Sequence, residues 1–86
     1  MYYYGYGVSQ DYAEAMKWYR KAAEQGNAFA MADIGEMYYY GRGVSKDNAE
    51  ALKWLKKAAG NGYNMVSLIE TIEQELLAEE EQTNPY

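Results

Sequence analysis

The side chains that could carry chemistry in this sequence form a short catalogue. Asp11 and Glu14, and again Asp47 and Glu50, are carboxylates three residues apart, a spacing that puts both on one side of a helix and admits acid–base work. Gly5-Tyr6-Gly7 and Gly41-Arg42-Gly43-Val44-Ser45-Lys46 are glycine turns of a kind that can cradle phosphate. Tyr2-Tyr3-Tyr4 and Tyr38-Tyr39-Tyr40 offer clustered aromatic surface, and the acidic run from Glu70 to Glu81 offers negative charge for a cation or a basic partner. Each has a competing explanation. No nucleophile or base partner stands near the carboxylate pairs, and the chain has neither His nor Cys, so thiol chemistry, imidazole catalysis and zinc–thiolate sites are excluded. The glycine turns lack the third glycine of a dinucleotide fingerprint and the Gly-Lys-Ser/Thr end of a P-loop, and each follows a helical pattern. They are expected to be structural turns.

The elements that must position these residues are set by an internal repeat. Shifted by 36, residues 2–26 align without a gap on residues 38–62, and 17 of the 25 pairs are identical. Each copy opens with a glycine turn that breaks the chain. Asp11 or Asp47 follows, with Glu14 or Glu50 three residues on, the pattern of a capping box. About 14 strong helix formers come next, carrying a stripe predicted to be buried: Ala15, Trp18, Tyr19, Ala22 and Ala23, and in the second copy Ala51, Trp54, Leu55, Ala58 and Ala59. Gly26 and Gly62 end these helices. Residues 27–40 form a second helix type in which Gly35 is interior, a cost of about 1 kcal/mol relative to alanine that a close helix approach would offset. The spacing predicts a helix stub over 1–4, helices over 11–25, 27–40, 47–60 and 64–80, and a frayed tail over 81–86.

These residues resemble Sel1-like repeats, relatives of the tetratricopeptide repeat. One half of the pattern, A-x-x-x-I-G-x-x-Y-x-x-G-x-G-V, stands at Ala30, Ile34, Gly35, Tyr38, Gly41, Gly43 and Val44. The other, D-x-x-E-A-x-x-W-x-x-K-A-A-x-x-G, stands at Asp47, Glu50, Ala51, Trp54, Lys57, Ala58, Ala59 and Gly62, and again from Asp11 to Gly26. The resemblance covers residues 2–63. It implies an all-α fold, a short α-solenoid of antiparallel helix pairs. It also implies a module that binds proteins or peptides, often as an adaptor in bacterial signalling or protein quality control, with no catalytic residues and no cofactor. The domain is expected as a partial first repeat (1–26), a second repeat (27–62) and an acidic capping helix (63–80). After Gly62 a further repeat would need Leu, Gly and Tyr where Glu70, Thr71 and Gln74 stand, whereas Met65, Ile69, Ile72 and Leu76 form a single apolar stripe. That is how a solenoid closes its end.

The family pattern places Tyr38 and Tyr2 inside and leaves Tyr3, Tyr4, Tyr39 and Tyr40 on or near the exposed inner face, with Phe29, Ala32 and Glu36 sharing the side of Tyr39. A partner segment there would meet Tyr3, Tyr4, Phe29, Tyr39 and Tyr40, with Glu36 or Arg42 setting its register; the competing role for these aromatics is packing against a neighbouring repeat. Trp18 and Trp54 are both expected in the core.

The chain has 86 residues and a net charge of −5. Residues 64–86 hold six Glu and no Lys or Arg, so the acidity is C-terminal, and neither part is a basic patch suited to nucleic acid. No apolar run of 18 residues and no leader pattern stands in the sequence, so an aqueous, reducing, cytoplasmic setting without membrane contact is expected. Measured against the family pattern, the chain enters at the last turn of the first helix, which leaves the stripe of helix 11–25 short of a neighbour. Self-association is therefore expected, in one form with a helix exchanged between chains, unless the repeats are a piece of a longer array. A self-assembling fragment whose exposed faces serve its own oligomer is the second functional reading.

Overall fold

The computed structural model describes the backbone of residues 11–83 and the side chains up to Glu79. Four helices follow one another: α1 (Tyr12–Glu24), α2 (Ala28–Tyr40), α3 (Asn48–Gly60) and α4 (Val66–Thr83). There is no strand among the described residues. The stub over 1–4 and the first glycine turn lie outside them, as do residues 84–86. Helix α4 runs past the expected end at residue 80, so at 81–83 the predicted fraying gives way to helix. The cause is composition: from Glu70 onward the segment is mostly Glu, Leu, Gln and Ala, with no helix breaker before Pro85.

The caps show how closely related sequences can differ. Asp47 is extended, with φ −153°, and its carboxylate accepts from the Glu50 backbone N–H at 3.0 Å. The box is one-sided, because the Asp47 N–H is already donated to the Tyr38 carbonyl at 2.9 Å. Asp11 departs from expectation. Its backbone is already helical at φ −90°, ψ 0°, and its side chain makes no cap hydrogen bond. Asn27, which the repeat pattern does not mark, caps α2 by accepting from Ala30 N–H at 3.1 Å. The turn from α2 to α3 needs its glycines. Gly43 has φ +74°, and a Cβ there would lie 2.6 Å from the Tyr12 Cβ, so the turn rests directly on the start of α1.

Helix α2 is the centre of the stack, packed between α1 and α3. That explains why it is apolar around most of its circumference, with Ala30, Met31, Ala32, Ile34, Gly35 and Met37 all buried. Gly35 provides the close approach that its sequence position suggested: a Cβ there would fall 2.7 Å from Leu55 Cγ and Cδ2 and 3.1 Å from the Ala51 carbonyl oxygen. Ile34, Leu55 and Ile72 are completely buried, each contributing about 1.5–3 kcal/mol of apolar transfer. Helix α4 lies on α3, with Ile72 at the centre of its apolar stripe and Met65, Leu68, Ile69 and Leu76 around it. Where α2 places Met31, Ile34, Gly35 and Tyr38, α4 carries Ser67, Glu70, Thr71 and Gln74 in repeat register, all exposed. The surface that a further helix of the α3 type would cover is polar.

The two copies share sequence but not environment. Ala51, Leu55 and Ala58 are fully buried against their neighbours, whereas their counterparts Ala15, Tyr19 and Ala22 are only half-buried. Trp18, expected in the core, is 60% exposed. Trp54 is half-buried because α1 reaches it: the Arg20 guanidinium lies 5.9 Å from its ring centroid, and Lys57 lies at 4.6 Å. The same Arg20 donates to the Tyr38 hydroxyl at 2.9 Å, so one side chain ties α1 to both α2 and α3. For Trp18 the described residues supply only its own Lys21, at 5.2 Å.

Candidate protein-binding face

Helix α2 is covered on all sides but one. Successive residues turn by about 100°, so Phe29, Asp33, Glu36 and Tyr40, at spacings of four, three and four, share one side. That side keeps Phe29 and Tyr40 more than half exposed, with Asp33 and Glu36 half-buried between them. The remaining sides are engaged: Gly35 against Leu55, Tyr38 with Arg20, and Tyr39 with α4. The open strip is therefore an acidic centre with an aromatic at each end.

Each end is held in place. Phe29 meets Tyr63 edge-on with ring centroids 5.6 Å apart. Tyr40 meets Tyr39 at 4.9 Å, and the Arg42 guanidinium lies 4.6 Å from the Tyr40 ring centroid. The centre opens into a cleft of ≈ 140 Å³ between α1 and α2, lined by Tyr12, Ala15, Tyr19, Asp33, Glu36, Met37 and Arg42. The Asp33 carboxyl is raised from its ordinary value. Partial burial and the neighbouring Glu36 carboxylate raise it, and the Tyr19 hydroxyl, which favours the ionised form, offsets part of this. The Tyr19 hydroxyl is raised in turn by burial and by Asp33.

This has a consequence for stability. Because the folded state holds the Asp33 proton more tightly than the unfolded chain does, ionising Asp33 costs stability as pH rises through its folded value. Asp33→Asn is expected to raise Tm at pH 7. The gain should vanish near pH 3, roughly where carboxylates are protonated in both states. Parallel thermal melts of the two proteins at both pH values check it.

Among the site residues expected from sequence, Phe29, Glu36, Tyr40 and Arg42 come together on this strip. Tyr39 does not join them. Its hydroxyl donates to Glu75 Oε2 at 3.0 Å, which raises its titration, and Lys46 lies 4.6 Å from its ring centroid while donating to its carbonyl at 2.9 Å. Tyr39 is thus a strut between α2 and α4. Tyr3 and Tyr4 lie outside the described residues. The residues that sequence reasoning missed are Asp33, Tyr12 and Tyr19. The spacing Phe29–Asp33–Glu36–Tyr40 was the signal for Asp33; Tyr19 was expected in the buried stripe and Tyr12 was given no role, and both join the cleft only through the fold.

No group of three or more acidic side chains that could hold a metal ion occurs among the described residues. None of the described helices is long and apolar enough to cross a membrane. What remains is α1 and α3 in one repeat register on either side of α2, and the Sel1 repeat family model matches the chain at residues 1–27 and 28–63. The chain belongs to the Sel1 repeat family. No curated protein and no solved structure matches it. Sel1 repeats generally mediate protein–protein interaction and are typically non-catalytic. In this Sel1 repeat chain, the α2 strip and its cleft are left open by the packing of the described residues.

Proposed function

We propose that the protein binds an extended segment of another protein along the open side of α2. The observation that carries this is the uncovered strip itself, with Phe29 and Tyr40 exposed at its ends and the Asp33–Glu36 cleft between them. Eleven residues of helix separate the two aromatics, about 16 Å, which matches roughly five residues of extended chain. Apolar side chains of the partner would pack on Phe29 and Tyr40, and a basic side chain would enter the acidic cleft, with Arg42 fixing the edge of the Tyr40 ring. Large aromatic contacts give affinity at modest entropy cost, and the charged centre gives register.

Selection of peptides from a displayed random library against the immobilised protein tests this. Selected peptides are expected to carry a basic residue between apolar ones. Phe29→Ala or Tyr40→Ala is expected to weaken them by tenfold or more, the scale of a binding hot spot at about 2 kcal/mol. Thr71→Ala, on the exposed side of α4, should leave them unchanged. Ligands indifferent to Phe29 and Tyr40 but sensitive to α4 would relocate the site.

A further inference from the structure

We propose that the cleft in the α2 strip is a receptor for one arginine side chain of the bound segment, selected over lysine. This deepens the peptide-binding reading and rests on it. Helix α1 contributes Tyr12, Ala15 and Tyr19 to the cleft, and α2 contributes Asp33, Glu36 and Met37. Two carboxylates thus face phenol rings and apolar surface across a narrow space.

The carboxylates have no cation of their own. All eight Lys and Arg side chains of the sequence are among the described residues. Lys17, Lys53 and Lys56 pair with Glu14, Glu50 and Glu73. Arg20 and Lys57 lie by the Trp54 ring, Lys21 by Trp18, and Lys46 by Tyr39. Arg42 reaches the edge of the cleft, but its guanidinium lies 4.6 Å from the Tyr40 ring centroid and makes no ion pair with Asp33 or Glu36. Three residues apart on a helix, these two carboxylates are neighbours. Half-buried, each makes the other's charge costlier, and the raised Asp33 carboxyl reflects this. A cation brought by the partner relieves that repulsion.

Size and hydrogen bonding select the guest. A cleft of ≈ 140 Å³ holds the volume of about four or five waters. A guanidinium carbon, its nitrogens and the methylene behind them fill that space, whereas a lysine ammonium leaves much of it to water. The guanidinium carries its N–H donors in one plane and can serve both carboxylates at once. It is also weakly hydrated and stacks on aromatic faces, which suits Tyr12 and Tyr19. The compact, strongly hydrated ammonium of lysine loses more on leaving water. A trimethylated lysine fills the space but offers no N–H to Asp33 and Glu36. Alternate residues of an extended chain point the same way. An arginine with an apolar residue two positions away on each side therefore reaches the cleft while its neighbours meet Phe29 and Tyr40.

The test uses the capped peptide Leu-Ala-Arg-Ala-Leu and three versions with lysine, trimethyl-lysine or citrulline at the centre, titrated into the intact protein labelled with nitrogen-15. The arginine peptide is expected to bind at least tenfold more tightly than each of the others. Glu36→Gln and Asp33→Asn should each bring arginine to within about threefold of lysine, with the helical signal intact and, for Asp33→Asn, the higher Tm expected above. Lysine or trimethyl-lysine binding as tightly as arginine, citrulline matching arginine, or a preference for arginine that survives both substitutions would overturn the proposal. If arginine and lysine bind alike and Phe29→Ala still weakens both, this inference fails and the strip reading stands. If none of the four peptides binds, both fail.

Discussion

Replacing Gly35 with alanine is expected to destabilise the protein by about 1–3 kcal/mol, the usual scale of overpacking a filled core. In an isolated helix the same change would stabilise by about 1 kcal/mol, because glycine is a poor helix former. The packing reverses the sign. The new methyl would sit 2.7 Å from two carbons of Leu55 and 3.1 Å from the Ala51 carbonyl oxygen, and Leu55 has no solvent-facing space into which to turn. Leu55→Ala alone should cost about 2–5 kcal/mol, since it empties a fully buried site. The double variant should cost clearly less than the sum, because the alanine at 35 fills part of the space that Leu55 leaves. Chemical denaturation of the four proteins gives the coupling. Strict additivity would mean that α2 and α3 do not touch at this point.

Ile72→Ala should have an effect of similar size but a different character. Ile72 is fully buried, and its removal should cost about 2–5 kcal/mol. The loss should fall mainly on α4. That helix meets the rest of the protein through one apolar stripe on α3, supported by the Tyr39–Glu75 hydrogen bond and the Lys56–Glu73 ion pair at 3.3 Å, the latter exposed and weak. Helix α2, by contrast, is held from both sides. Hydrogen exchange of the variant should therefore show α4 amides losing protection while those of α2 and α3 keep most of theirs. Uniform loss across all four helices would mean that α4 belongs to the same cooperative unit as the rest.

Much of the fold could be read from the chain because the determinants are local and occur twice. The 36-residue repeat, the glycines at the turns and the apolar stripe of Met65, Ile69, Ile72 and Leu76 each point to one arrangement. The interior Gly35 forecast a close helix approach, and the structure supplies it. What escaped depends on neighbours. Trp18 and Trp54 occupy identical positions in the pattern, yet burial depends on what stands opposite. Arg20 of α1 reaches Trp54, while the cation over Trp18 is Lys21 of its own helix. Asp11 and Asp47 likewise share a sequence context, but only Asp47 has the extended backbone that brings a carboxylate over the helix end.

The candidate face was half legible. Phe29 and Glu36 were placed by helical spacing, on the side of Tyr39, and Tyr40 by the family pattern. Tyr39 looked equivalent to Tyr40 in a run of three tyrosines, but 100° of rotation carries it to α4, where Glu75 engages its hydroxyl. Asp33 was overlooked, although it lies on the same side as Phe29. Its environment, raised in titration by burial and by Glu36, arises only when α1 closes one wall of the cleft.

The central claim is that the near-identical helices α1 and α3 stand in unlike surroundings, α3 enclosed between α2 and α4 and α1, among the described residues, leaving Trp18 exposed. Tryptophan emission measures this directly, in the two single-tryptophan variants Trp18→Phe and Trp54→Phe. The indole of Trp54 should emit to the blue and resist quenching by iodide, and that of Trp18 should emit as in water and quench readily. Two indoles with the same emission and the same quenching would contradict the account.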